Sequence, residues 1–362
     1  MEDDPVLTFR AIPHQGCVNR IRARPIVKPY STGPPAPPDT YHVATFSETG
    51  KVHIFDVAPQ LHSLLYPGTN NAPLSKLPVF TLEAHGRAEG YALAWGNPIG
   101  TSTSGRLLSG DIHSKIFLTT LTPTAFTPSP KPFLSHTDSV EDIQWSPSEP
   151  TVFASCSADK SIRVWDIRVK DRKSVIGVAG AHESDVNVLS WNCGTNYLLA
   201  SGGDEGAIKV WDLRSFKGSV YRSLSLSSAF RYFPVRRIVG LTIRDVYRTK
   251  APAPTPVAAF TWHTAPITSI EWHPTEDSCF AASGADDQIT LWDLSVEQDE
   301  DERPNQQAGE AERLKDVPAQ LLFVHQGQKD IKELHWHPQV PGVVVSTALD
   351  GFNIFKALPF SE

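Results

Sequence analysis

The sequence predicts an all-β fold: a ring of small four-stranded antiparallel sheets built from one repeated unit. Three observations predict it. Trp145 and Trp165, Trp191 and Trp211, and Trp272 and Trp292 are each 20 residues apart. A histidine stands nine residues before each leading tryptophan (His136, His182, His263), and an aspartate follows each trailing one (Asp166, Asp212, Asp293). The 30 prolines and single methionine suit many turns and short strands better than helices. A fixed period marks a repeat architecture. A closed ring of sheets is one cooperative unit, so residues 1–362 read as one domain although length alone would suggest two or three.

Taken in order, the first repeat is the weakest. It runs from His14 to Val57 as VNRIRARP, a Pro-rich excursion at 29–38, then YHVATFSETGKVHIFDV. Residues 5–12 (PVLTFRAI) read as an outer strand preceding it. The second, His85 to Leu121, keeps Trp95 and a LLSGDIHSKIFL core. The third and fourth, His136 to Arg168 and His182 to Arg214, align best. Their short runs VEDIQW, VFASCS and SIRVWDI match VNVLSW, YLLASGG and AIKVWDL, with Ser, Pro, Asn, Gly and Asp between. Runs of that length with such punctuation are strands and turns. The fifth spans His263 to Leu294. The sixth, His325 to Lys356, has Phe355 for the trailing tryptophan. Two closures stay open. The strand at 5–12 completes the last sheet, giving six blades, or a seventh blade's inner strands lie upstream and one blade is incomplete.

Three insertions interrupt the pattern. Residues 122–132 are Pro-rich and read as an extended connection. Residues 296–320 carry the acidic run Glu297-Gln298-Asp299-Glu300-Asp301-Glu302. Residues 215–256 form an irregular basic insertion: between Ser219 and Lys250, six arginines and one lysine face Asp245 alone. Three readings of that insertion stay open: a surface loop, an intervening sequence carried in the gene model, or an RNA-contacting arm.

His136, Ser155, Asp159 and Trp165 could be mistaken for a hydrolase triad. An equivalent set recurs as His182, Ser201, Glu205 and Trp211, and in part as His263, Asp286 and Trp292. A catalytic site does not recur around a ring, whereas a bracing network must. Buried polar groups need partners, since each unsatisfied one costs roughly 1–3 kcal/mol. These residues are therefore read as structural, with a shorter network where Ala282 replaces the serine. His273, His335 and His337 follow or flank inner strands and read as turn formers rather than metal ligands. The chain holds no P-loop. No catalytic centre, metal site or cofactor is expected.

A formal charge of −7 argues against a whole-surface nucleic-acid binder. Cys17, Cys156, Cys193 and Cys279 are far apart without a C-x-x-C pair and read as buried reduced thiols. The amino terminus, Met1-Glu2-Asp3-Asp4-Pro5, lacks the basic and apolar regions of a secretory signal. No apolar stretch approaches the roughly 20 residues of a membrane span. These features point to a cytoplasmic or nuclear address.

The motifs WDIR, WDLR and SADKSIRVWD resemble WD40-repeat propellers. DPVLTFRAIPHQGCVNRIRA at 4–23, HTDSVEDIQWSPSE at 136–149, HTAPITSIEWHP at 263–274 and the segment 321–355 resemble, more narrowly, the glutamate-rich WD-repeat family of ribosome-assembly chaperones. That resemblance implies a seven-bladed propeller in nucleolus, nucleus and cytoplasm. It also implies a basic client, newly made ribosomal protein three of the large subunit, with histones as clients of related proteins. The family's acidic stretch before the first repeat appears here only as Glu2-Asp3-Asp4, and its amino-terminal helix and first-blade strands are not seen. The expected client contacts are Glu297, Asp299, Glu300, Asp301 and Glu302, with Asp138 and Glu141 beside them. Two alternatives stay open: a histone-binding chromatin protein, or a cullin-type ubiquitin-ligase adaptor docking its scaffold through Arg168 and Arg214. Neither a membrane nor a specific nucleic-acid sequence is an expected partner.

Overall fold

The computed structural model describes residues 8–25, 39–68, 74–96, 105–122, 125–216, 237–238, 241–242, 254–296 and 317–357. It is an all-β propeller with six blades. Two compact units divide the chain, Met1–Trp145 and Ser146–Glu362.

In the first unit, blade 1 is the antiparallel sheet β1 (Val18–Ala23), β2 (His42–Ser47), β3 (Val52–Asp56) and β4 (Phe80–Leu82). A short helix, α1 (Ala58–Leu65), intervenes between β3 and β4; the repeat pattern did not announce it. Blade 2 is β5 (Ala92–Trp95), β6 (Gly105–Gly110), β7 (Ile116–Leu121) and β8 (Phe126–Pro128). β8 lies inside the Pro-rich stretch 122–132. What reads as an extended connection in the sequence is therefore partly the blade's outer strand, paired through Thr120 and Thr127. Proline is tolerated there because an outer strand pairs on one side only. The unit ends with β9 (Val140–Trp145), the first strand of the third repeat. Ala44, Phe46, Val52, Ile54, Leu93, Trp95 and Leu107 form its core.

The second unit begins with β10 (Val152–Ser157), β11 (Ile162–Asp166) and β12 (Ile176–Val178). Blade 4 is β13 (Val186–Trp191), β14 (Leu198–Gly203) and β15 (Ile208–Asp212), a 3₁₀ turn at Leu213–Ser215, and a later outer strand. Two two-residue strands, β16 (Arg237–Ile238) and β17 (Leu241–Thr242), pair with each other within the basic insertion. β18 (Ala258–Phe260) then completes blade 4 against β15. Blade 5 is β19 (Ile267–Trp272), β20 (Cys279–Gly284), β21 (Gln288–Asp293) and β22 (Leu321–Gln326). Among the described residues blade 6 has three strands, β23 (Glu333–Trp336), β24 (Val343–Ala348) and β25 (Gly351–Lys356). The described part of the segment at 5–12, residues 8–12, is not in a strand, and Phe9 is exposed there.

Every blade reverses direction between its second and third strands at one left-handed residue. These are Gly50, Ser114, Lys160, Gly206, Asp287 and Gly351, each five residues after the position of Ser155 in its repeat. A positive φ costs an ordinary L-residue about 1 kcal/mol or more. At Gly206 (φ +77°) a β-carbon would also sit 2.5 Å from the His263 carbonyl oxygen, so glycine is required there twice over. Blade 6 differs by one residue. Ser346 faces Asn353, seven along, whereas Ser201 faces Lys209, eight along.

Packing follows from the alternation of the strands. Trp211 packs with Val152, Ala154 and Val164. Trp292 packs with Ala200, Ile208 and Val210. These two trailing indoles thus fill the seam toward the preceding blade. Burial of some 200 Å² of aromatic surface at about 25 cal/mol per Å² is worth several kcal/mol per tryptophan, an upper figure.

Candidate functional site

Blade 4 shows how the polar network closes. Glu205 Oε1 lies 2.6 Å from His182 Nδ1, so that nitrogen carries the proton. His182 Nε2 then accepts from Ser201 Oγ at 2.7 Å, and Ser201 Oγ accepts from Trp211 Nε1 at 2.9 Å. One proton per link satisfies indole, hydroxyl, imidazole and carboxylate. Burial lowers the His182 pKa, and the Glu205 charge offsets this in part. The Glu205 carboxylate pays for its own burial, yet the Ser184 hydroxyl, a backbone N–H and His182 bring its pKa below the ordinary value.

Other blades reach the same end by different means. In blade 5, where Ala282 replaces the serine, the network is not shorter. Thr290, on the facing strand, supplies the hydroxyl: it accepts from Trp292 Nε1 at 2.8 Å and meets His263 Nε2 at 2.9 Å. Asp286 holds His263 Nδ1 at 2.9 Å. Blade 2 joins His85 Nε2 to Ser109 Oγ at 2.8 Å and His85 Nδ1 to Asp111 Oδ2 at 2.7 Å, without a tryptophan. In blade 6, Gln328 accepts from Ser346, whereas His325 stacks on Phe355 at 4.1 Å and meets Asn353. In the third repeat, Trp165 Nε1 donates to Ser155 Oγ at 2.8 Å, and Asp159 accepts from Ser161. His136 is buried in the first unit.

Four of the leading tryptophans have a role that the sequence pattern leaves unstated. Trp95, Trp145, Trp272 and Trp336 donate their indole N–H to the carbonyls of Arg22, Ala94, Ser190 and Glu271, at 3.0 to 3.2 Å. Each acceptor lies on the innermost strand of the preceding blade. The residue after Trp145, Trp191, Trp272 and Trp336 caps a turn with a side-chain acceptor. Ser146 Oγ takes Glu149 N, Asn192 Oδ1 takes Thr195 N, and His273 Nδ1 takes Glu276 N. His337 Nδ1 does the same with Val340 N. An acceptor Nδ1 requires a neutral ring, and burial lowers the His273 pKa accordingly.

The expected client contacts divide into two groups. Glu297, Asp299, Glu300, Asp301 and Glu302 lie outside the described residues. Their flanks are described: Gln320 Nε2 donates to Val296 O at 2.9 Å, and Asp293 N to Gln320 O. The acidic segment is therefore an insertion on a closed β21–β22 base. Asp138 is exposed on the loop before β9, and its Oδ1 accepts from Ser139 N. Glu141 is half-buried at the start of β9. Burial, and then the charges of Glu89 and Glu141, push the Tyr91 phenol above its ordinary pKa. Glu89 in turn accepts from Asn19. The first unit thus gathers Glu89, Tyr91 and Glu141 at the entry to β5 and β9, a small acidic surface.

Arg168 and Arg214 are half-exposed and turned onto their own aspartates. Arg168 Nε and Nη2 donate to Asp166, and Arg214 Nε and Nη2 to Asp212 at 2.9 and 2.6 Å. The Arg214 guanidinium also lies over the Tyr197 ring, 3.6 Å from its centroid. On the innermost strands of blades 5 and 6, His335 sits 3.1 Å from Glu271 and 3.5 Å from Glu333. Burial opposes the imidazolium, but hydrogen bonds and charge from both carboxylates outweigh it and raise its pKa to about 9. Cys156 and Cys279 are buried as expected; Cys17 and Cys193 are exposed, contrary to that expectation. Among the described residues no group of three or more His, Cys, Asp or Glu is arranged to hold a metal.

The family model described as WD domain, G-beta repeat matches residues 129–166, 173–212 and 254–293. The chain is 45% identical over 360 residues to ribosome assembly protein rrb1 of Schizosaccharomyces pombe, covering 99% of this chain and 65% of that protein. It is 41% identical over 354 residues to glutamate-rich WD repeat-containing protein 1 of Dictyostelium discoideum, covering 98% and 61%. A histone acetyltransferase type B subunit 2 from Candida glabrata is 24% identical over 362 residues, covering 96% and 66%. The chain spans slightly less than two thirds of the length of the first two of these proteins.

Proposed function

The chain is a WD40-repeat protein homologous to the ribosome assembly protein rrb1, and on that premise we propose that it acts in ribosome biogenesis as a non-catalytic chaperone for a basic client. The client is a newly made ribosomal protein of the large subunit, ribosomal protein three by the family's pattern. The work is done in the nucleolus and nucleus, and in the cytoplasm where the client is made. The near-full-length similarity to rrb1 carries the reading.

The chemistry supports it. A polar network recurs from blade to blade with changing residue types, as bracing does and a catalytic centre does not. The sequence carries an acidic insertion at 297–302 that the β21–β22 pairing does not need. Carboxylates there neutralise a basic client before it meets ribosomal RNA. Such attraction is long-ranged and sensitive to salt, with a Debye length of about 8 Å at physiological ionic strength. Asp138 and Glu141 extend the acidic surface in the first unit.

The test replaces residues 297–302 by Gly and Ser and measures client affinity across ionic strength. Weaker binding at low salt, converging on the unmodified chain at high salt, is the expected result. Unchanged affinity at low salt rejects these carboxylates as contacts. Competition with histones, to which the similarity with the histone acetyltransferase subunit points, decides whether the basic client is ribosomal.

A further inference from the structure

We propose that the seam between blades 1 and 2 is a docking groove for an extended peptide segment of a partner protein, one that places a carboxylate beside an apolar side chain.

The seam holds a departure from the repeat. Trp165 pairs across its hairpin with Phe153, and Trp211 with Leu199. In blade 2 the matching pair is Thr119 and Leu107. Blade 2 therefore has a threonine where blades 4 and 5 wedge an indole against the preceding blade. Thr119 is 2% exposed and its hydroxyl has no hydrogen-bond partner among the described residues, so nothing polar has taken the indole's place. Phe80 and Phe126, stacked at 5.2 Å, fill part of the seam. Beside them a groove of about 710 Å³ remains. That volume falls within the roughly 300–1,000 Å³ typical of binding clefts.

Its walls are apolar and stiff. Phe80 and Leu82 of β4 form one side; Phe117, Pro128, Pro130 and Pro132 form the other. Proline walls lose little entropy when a peptide settles on them. The wall from 126 to 133 is tied to β7 by Ser129 N to Leu118 O and Phe133 N to Ile116 O, so it is already in place.

The rim sets the sign of the occupant. Lys115 lines the groove, and Lys131 lies between two lining prolines. Neither ammonium has an ion-pair partner among the described residues. The carboxylate of Glu83 at the rim is already held by Lys51 at 2.9 Å. An apolar slot with two uncommitted cations suits an acidic-apolar segment and repels a basic one. This surface is thus opposite in preference to the acidic insertion that would hold a basic client, and the two can be tested apart.

The probe is a fluorescein-labelled peptide of alternating aspartate and phenylalanine, with a lysine-phenylalanine peptide as control, titrated against the full chain by anisotropy. Ala84→Trp plugs the groove from an exposed position, and Lys115→Glu with Lys131→Glu reverses the rim; neither change touches a buried side chain. The expected result is saturable binding of the acidic peptide only, weakened about tenfold or more by each variant, the scale of a few exposed contacts. Failure of the acidic peptide to bind at millimolar concentration overturns the proposal. So does equal binding of the basic control, or unchanged binding to both variants. Affinity for the basic client should not move in either variant.

Discussion

Replacing Ser201 by alanine removes the central atom of the blade 4 network. Its oxygen is within hydrogen-bond distance of Trp211 Nε1 and His182 Nε2, and all three residues are at most 3% exposed. Two buried polar atoms would lose their partner. At roughly 1–3 kcal/mol for each orphaned group, the expected loss is about 2–6 kcal/mol, a large share of a domain's net stability. The second half of the prediction comes from blade 5. There an alanine, Ala282, occupies the serine's position, and Thr290, two residues before Trp292, restores the link. The matching residue in blade 4 is Lys209. Ser201→Ala combined with Lys209→Thr should therefore recover at least half of the loss. Recovery is incomplete because Lys209 Nζ gives up its bond to Ala181 O at 2.9 Å. Urea unfolding of the full chain reads both, as a shift in midpoint at unchanged slope. A single variant within about 0.5 kcal/mol of the parent, or a double variant no more stable than the single, would refute the bracing argument.

Further outcomes follow from the same geometry. The His182 pKa is lowered in the folded state, so its contribution is present above the unfolded value near 6.5 and is lost as pH falls toward the folded pKa; Glu205, also lowered, adds loss at lower pH still. Stability should thus decline on acidification below about pH 6.5, and less steeply in His182→Gln. His335 has the opposite sign. Its folded pKa of about 9 makes its contribution complete below 6.5 and lost as pH rises through 9. Imidazole titration by NMR should show Glu271→Gln moving that pKa down; an unmoved titration would refute the ion pair. Arg168→Ala with Arg214→Ala should cost little stability, since both arginines are half-exposed, and should leave basic-client affinity unchanged. Weaker client binding in a pull-down would bring the two arginines into the binding surface.

Much of the fold was legible because strands announce themselves locally. The alternation in VEDIQW or ITSIEW, and the Ser, Pro, Asn, Gly and Asp between such runs, are properties of neighbouring residues. The networks were only half legible. A hydroxyl can reach one histidine from either of two facing strands, so a pattern that places the hydroxyl only at position 282 does not reveal Thr290. Asp111 departs from the repeat spacing, since it follows Ser109 by two residues, whereas Glu205 follows Ser201 by four. Gln328 stands in for histidine because any buried acceptor with the right reach satisfies Ser346.

By itself, then, the chain's order of residues determined its modules: how many, of which strands, turning where, and with which polar groups in need of partners. Periodicity and turn chemistry act over a few residues and survive without coordinates. Only the tertiary arrangement decided which partner each buried group meets and which seam is left open. Hydrogen bonds and packing are bounded by ångströms in space, and the residues they join, such as Trp336 and Glu271, are 65 positions apart in sequence.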